Sequence, residues 1–422
     1  MNAVKKNSPL VINLLMMTII IDVMGVGLIF PVIPEIIMSK ASPFFAHTVA
    51  RESRYFYYGL SMALWPLGVF IGSALIGKLS DLYGRKKLLI ITILGIVLSY
   101  ALSIGSFYST SLFVFLFSRF LCGFFGGSFS LAQAFILDIS SDDRRMRNLG
   151  LITLAASIGL VIGPLVATAL SYFATTPELS SVLPFWFGAV LALINVLNIV
   201  IFLPKVPTPS NNESKLNILK LVLSFSVMFT DKRVRLLALC FLFLQLGWGY
   251  FAQSLPLALE QIFHFAPAIV GVFFILMNAG YLSSTLWIQD RMLKKFDVAT
   301  VMVFIAISVA ALLALAGIYV SPYVMGFVAF FASLIEIILY TAVMSEVAAQ
   351  VNPSEQGEYM GGVTSVFGIA WFLNAFSMGP VMTASITAPF FLASIGLLMC
   401  GLFAYLYKVK QTKSVSLAIA DA

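Results

Sequence analysis

The string GKLSDLYGRKK at positions 77–87 decides how this chain folds. It places one carboxylate, Asp81, one glycine, Gly84, and three consecutive cations, Arg85, Lys86 and Lys87, between two apolar runs at about 56–79 and 88–106. Each run is long enough to cross a bilayer, which takes about 20 mostly apolar residues. Clustered Lys and Arg next to such runs mark the cytoplasmic side. Gly84 permits a tight turn, Gly77 lets neighbouring helices approach, and Asp81 accepts hydrogen bonds at a neighbouring helix N-terminus. The string is a short cytoplasmic loop between two membrane helices.

Outward from this loop the chain repeats the same alternation. Apolar runs fall at about 10–37, 56–79, 88–106, 112–138, 149–172 and 183–203, then at 236–259, 269–289, 298–319, 323–351, 359–386 and 390–407. Composition agrees: 60% of residues are hydrophobic and 10% charged, against about 25% charged in a soluble domain. The expected fold is all-α and integral to the membrane, with twelve transmembrane helices in two bundles of six. The expected domains are 1–203, a linker at 204–235, 236–407 and a cytoplasmic tail at 408–422. LPKVPTPSNNESK is linker-like in its Pro, Ser and Asn content, and the segment after it suits a helix lying at the interface. Lys5 and Lys6 precede a run too long for a secretory signal, so the first span is retained.

Orientation follows from the 25 basic residues. With the N-terminus inside, 21 lie in cytoplasmic segments, Lys40, Arg51 and Arg54 face outward, and Arg119 is left within the membrane. Both termini are then cytoplasmic. The net charge of +7 is thereby explained as topology, with no nucleic-acid partner. Asp81, Arg85 and Lys86 recur at the same spacing as Asp290, Lys294 and Lys295 after the eighth run, with Leu293 in place of Gly84 and Leu286 in place of Gly77. This is the trace of a six-helix duplication.

The string at 77–87 resembles the loop signature of the major facilitator superfamily, G-x-L-[AS]-D-x-x-G-R-[KR]-[KR], with Leu82 where that family usually has Arg or Lys. IDVMGVGLIFPVIP at 21–34 looks like the first helix of its drug/proton antiporter branch, especially the tetracycline efflux group. SRFLCGFFGG at 118–127 is similar to the helix-four motif R-x-x-x-G, LDISSDDRRMRNLG at 137–150 to the four-to-five loop, and EQG at 355–357 to the ten-to-eleven loop. In the fifth run Gly159, Gly163 and Pro164 form G-x-x-x-G-P, similar to the antiporter signature. Ala167 and Thr168 depart from its two further glycines. Small residues there serve close packing, and Pro164 bends the helix and frees a carbonyl, so these three are candidate gate residues.

A charged side chain at mid-span costs about 2.5–3.5 kcal/mol on insertion scales. Asp22, Arg119 and Glu336 therefore need a reason. The resemblance links the first-helix acid and the helix-four arginine to proton coupling and substrate response. A desolvated carboxyl exchanges protons near neutral pH, and arginine, which keeps its charge, biases its neighbours. The alternative is a static set of charges holding helices in register. Glu346 suits a gate or loop contact, and Asp138 a cytoplasmic charge network. Asn13, Gln133, Gln245, Trp248, Tyr250, Gln253, Asn278 and Trp371 are candidate cavity residues, mixing aromatic walls with hydrogen-bonding groups.

No catalytic constellation is legible. His47 and His264 have no local metal-ligand spacing, and Cys122, Cys240 and Cys400 show no paired spacing. No cofactor, metal or phosphate-binding loop is expected, and the energy source is an ion gradient. The expected function is proton-coupled antiport exporting a small amphipathic compound by alternating access. The first alternative is a symporter importing a nutrient such as an amino acid, nucleoside or siderophore. The second is a non-transporting receptor or assembly protein. The expected partners are a small-molecule substrate, protons and the lipid bilayer, in a monomeric protein of the bacterial inner membrane.

Overall fold

The computed structural model describes residues 8–40, 42–46, 48–204, 226–352 and 356–420, with the side chains of some further residues, Asp81 among them, outside the described set. Every regular element among the described residues is helical. Eleven helices among the described residues are long and apolar enough to cross a membrane. The elements separate into two units, Met1–Val222 with His264–Ile275, and Leu223–Phe263 with Leu276–Ala422.

The first unit is built from α1 (Pro9–Ile29), α2 (Ile33–Met38), α3 (Arg51–Tyr83), α4 (Arg85–Ser109), α5 (Leu112–Phe125), α6 (Ser128–Ile139), α7 (Asp142–Phe173) and α8 (Pro177–Phe202). The expected fourth span, 112–138, is not one continuous helix. It breaks at Gly126–Gly127 into α5 and α6, because two adjacent glycines carry the largest entropic cost of helix formation. α5 is a shorter apolar helix outside the eleven, so by length and composition the described residues show eleven of the twelve expected spans.

Glycines let these helices touch backbone to backbone. A Cβ at Gly68 would collide with the Phe120 carbonyl, one at Gly72 with that of Phe124, and one at Gly123 with that of Trp65. α3 and α5 thus meet along a G-x-x-x-G face. α1 and α7 meet likewise: a Cβ at Gly163 would lie 2.6 Å from Met24 O and one at Gly159 2.7 Å from Ile20 O. Gly77 differs, since nothing described lies within 4 Å of a Cβ there. Its expected role in close helix approach has no described counterpart.

The 77–87 loop has the anticipated geometry at Gly84, which sits at φ 94°, between the end of α3 and the start of α4. Arg85 Nε donates to the Asp138 carboxylate on α6, so Asp138 belongs to a charge network as anticipated. Lys86 Nζ donates to the carbonyls of Val200, at 3.0 Å, and Leu203. An ammonium there satisfies the free carbonyls at the end of α8.

The second unit holds a short α9 (Val227–Thr230), then α10 (Arg235–Phe263), α11 (Pro267–Ser283), whose first residues fall in the first unit, a π-helical turn (Ser284–Ile288), α12 (Gln289–Lys295), α13 (Val298–Ile318), α14 (Pro322–Ala349), α15 (Gln356–Ala384) and α16 (Ala388–Ala420). α12 carries the second copy of the loop motif. With Leu293 in place of Gly84 the helix runs on to Lys295 and breaks at Phe296, and Asp297 then caps α13 through Thr300 N at 2.9 Å. The degenerate copy has moved its turn because leucine disfavours a positive φ. α16 continues to Ala420, so the expected tail from 408 is helical in the described residues. Residues 205–225, including most of the expected linker, lie outside the described set, as do His47 and Glu355.

Candidate functional site

In the first unit the polar residues gather around Tyr100 of α4. Asp22 on α1, and Arg119 and Cys122 on α5, all act electrostatically on it. Arg119 is 4% exposed, and its buried Nε has no hydrogen-bond partner among the described residues. Leaving a buried donor unpaired costs about 1–3 kcal/mol, more when it is charged. Tyr100 is held between two glycines: a Cβ at Gly25 would lie 2.6 Å from its hydroxyl, and one at Gly188 2.8 Å from its ring. One helical turn below Asp22, Thr18 Oγ1 donates to Asn195 Oδ1 of α8 at 3.1 Å. Asp22 and Arg119 thus both lie within electrostatic reach of one tyrosine, which was not singled out from sequence.

In the second unit Glu336 on α14 is 3% exposed. Its polar neighbour is the hydroxyl of Tyr281 on α11, which also reaches the Trp248 side chain on α10. The Trp248 and Tyr281 rings meet edge to face at 6.0 Å. Tyr340, one turn along α14, completes the surround. A buried carboxyl whose polar neighbour among the described residues is a tyrosine hydroxyl can take up and release a proton.

A second polar layer joins α10 to α15. Trp371 Nε1 donates to Gln245 Oε1 at 3.0 Å, Gln253 Nε2 donates to the Trp371 carbonyl at 3.2 Å, and Asn374 Nδ2 donates to the Gln245 carbonyl at 3.1 Å. Tyr250 and Ser377 share a hydroxyl contact at 2.6 Å. Of the candidate cavity residues, Gln245, Gln253 and Trp371 are therefore brought together, and Trp248 meets Tyr281, the partner of Glu336. Asn278 is buried on α11. Asn13 is exposed and Gln133 half-buried in the first unit, and neither joins this layer. Asn374, with no exposure and its Oδ1 unpartnered, was missed in the sequence. Its only signal is an amide inside an apolar run.

Two clusters organise the helix ends. Tyr407 Oη donates to Glu346 Oε2 at 2.5 Å and Gln411 Nε2 donates to Tyr407 Oη at 2.7 Å. Glu346 therefore contacts another helix, α16, where a gate or loop contact was expected. Ahead of α10, Arg233 Nε donates to Asp231 Oδ2 at 2.9 Å and Arg233 Nη2 to Tyr359 Oη at 3.0 Å, while Tyr359 Oη itself donates to Asp231. The hydrogen bonds from Arg233, then that from Tyr359, hold the Asp231 carboxyl down at about 2.

The chain is 28% identical over 192 residues, 45% of its length and 44% of the relative's, to the tetracycline resistance protein, class H, of Pasteurella multocida. The match thus spans less than half of either protein. The human organic anion transporter MFSD10 superposes with a TM-score of 0.70 at 20% identity, over 94% of this chain and 99% of that one. A D-xylose–proton symporter does so with a TM-score of 0.72 at 15% identity, over 93% and 97%. At these identities the superpositions establish the fold. The sequence profile of the Major Facilitator Superfamily matches residues 15–375, most of the chain, and by that match this non-enzymatic, multi-spanning membrane protein belongs to the Major Facilitator Superfamily.

Proposed function

We propose that the chain is a proton-coupled secondary transporter that carries a small solute inward together with protons, by alternating access, with both termini cytoplasmic. The observation that carries this reading is the division of the ionisable groups within its apolar helices. Asp22 and Arg119 stand in one unit around Tyr100, and Glu336 stands in the other beside Tyr281. Separate sites let a proton and a solute be held at the same time, which symport requires. Arg119, which offers only donors, faces a solute bearing an acceptor oxygen, and Glu336 carries the proton. Asp22 couples the two through Tyr100. In this reading α5 and α6 together form the fourth of twelve spans, and Gly159, Gly163 and Pro164 let α7 roll on α1. Similarity in fold to a D-xylose–proton symporter supports this direction.

The second reading is antiport with export. The stretch similar to a tetracycline resistance protein favours it, as do the helix-five residues Gly159, Gly163 and Pro164. The two readings share Glu336 as the proton-binding group, so one pair of variants tests what they have in common. In proteoliposomes Glu336→Gln is expected to abolish accumulation driven by a proton gradient while leaving solute counterflow intact. Full accumulation by Glu336→Gln would remove Glu336 from the coupling. Asp22→Asn is expected to uncouple in the same way, and intact accumulation would remove Asp22.

A further inference from the structure

Cys240 on α10 and Cys400 on α16 are separated by 160 positions, yet their sulfurs lie 3.3 Å apart. Both thiols are free and neither has any exposure. The contact is one rung of an antiparallel seam. Phe243 stacks on Phe403 at 5.4 Å, a Cβ at Gly396 would lie 2.7 Å from the Gly247 Cα, and Phe251 meets Phe390 at 6.1 Å. The Gly247–Gly396 approach brings the two backbones together one to two turns from the thiols, so this proximity is set by the helices themselves.

We propose that Cys240 and Cys400 are an oxidation site, closed to a disulfide by a lipid-soluble quinone, that staples α10 to α16. A disulfide has its sulfurs at about 2.05 Å, so closure needs a shift of about 1.2 Å. Rotation about the side-chain bonds supplies that while the helices stay in contact. The chemistry balances without other reactants. Two S–H bonds break, one S–S bond forms, and the two electrons and two protons reduce the quinone to the quinol. A lipid-soluble oxidant is specified because both thiols are fully buried in helices long and apolar enough to cross a membrane. Cys400 also lies within electrostatic reach of Glu336, so the staple would form beside the proposed proton site.

The test uses the purified full-length protein in lipid vesicles with a fully ring-substituted benzoquinone, which accepts electrons but cannot add to thiols. The free-thiol titre is expected to fall from three to one per chain, with Cys122 still alkylated and the Cys240 and Cys400 peptides joined. The melting temperature is expected to rise, because a cross-link closing a long loop restricts the unfolded chain, and a reducing phosphine should reverse both changes. Cys240→Ser should hold its titre at two under the same treatment. A wild-type titre that stays at three, or that falls with Cys122 lost as readily as the other two, would overturn the proposal. None of these readouts depends on transport, so the proton-coupling reading stands or falls separately.

Discussion

Arg119 and Gly84 show how much one residue controls. If Arg119 faces the solute, Arg119→Gln removes a charge-assisted hydrogen bond worth about 1.5–3 kcal/mol, and the half-saturation concentration should rise about 10- to 100-fold with coupling retained. Uptake titrations on vesicles check this, and an unchanged value would place the solute elsewhere. Gly84→Ala puts a Cβ on a residue at φ 94° and should destabilise by about 1–3 kcal/mol, read from thermal unfolding in detergent. The charges were legible in the sequence because a charge within an apolar run is costly wherever it points. Tyr100, Tyr281 and Asn374 were not. A tyrosine in such a run looks like packing until another helix brings its partner, as α1 and α5 bring Asp22 and Arg119 to Tyr100. The same holds for Cys240 and Cys400, whose relation is invisible across 160 positions.

At the scale of the helix, the seam between α3 and α5 separates structural from silent glycines. Gly72→Leu drives a side chain into the Phe124 backbone, an overpacking that costs about 1–3 kcal/mol or more. Gly77→Ala meets nothing described and should stay within about 0.5 kcal/mol of the parent. Melting temperatures of the two variants should therefore diverge, and equal losses would contradict the packing described. The tie between Asp231, Arg233 and Tyr359 predicts a pH dependence. The folded carboxyl sits at about 2, below its ordinary 3.8, so its contribution is fully present above about pH 4 and lost as the pH falls through about 2. Asp231→Asn should lower the melting temperature equally at pH 7 and pH 5, with the difference closing only towards pH 2. Most helices were legible because long apolar runs have few other solutions. The break in the fourth run was not, although Gly126 and Gly127 mark it. Nor was the shift of the second turn to Phe296, which depends on what Leu293 cannot do.

At the scale of the whole chain, the positive-inside count predicts an orientation and the repeat of Asp81, Arg85 and Lys86 predicts a doubling, while direction of transport leaves no comparable mark on the sequence. A fluorescent reporter fused at the C-terminus should light up, as one does in the cytoplasm, and a periplasm-dependent reporter at the same point should stay inactive. The reverse pattern would invert the topology. The most direct test of proton-coupled symport places the purified protein in vesicles with a pH-sensitive dye inside and no imposed gradient, then adds sugars, peptides, nucleosides and organic anions outside in turn. The account predicts that at least one solute entering the vesicles acidifies the lumen, with the response lost in Glu336→Gln. Alkalinisation of the lumen on solute entry would show exchange of solute for protons and contradict symport.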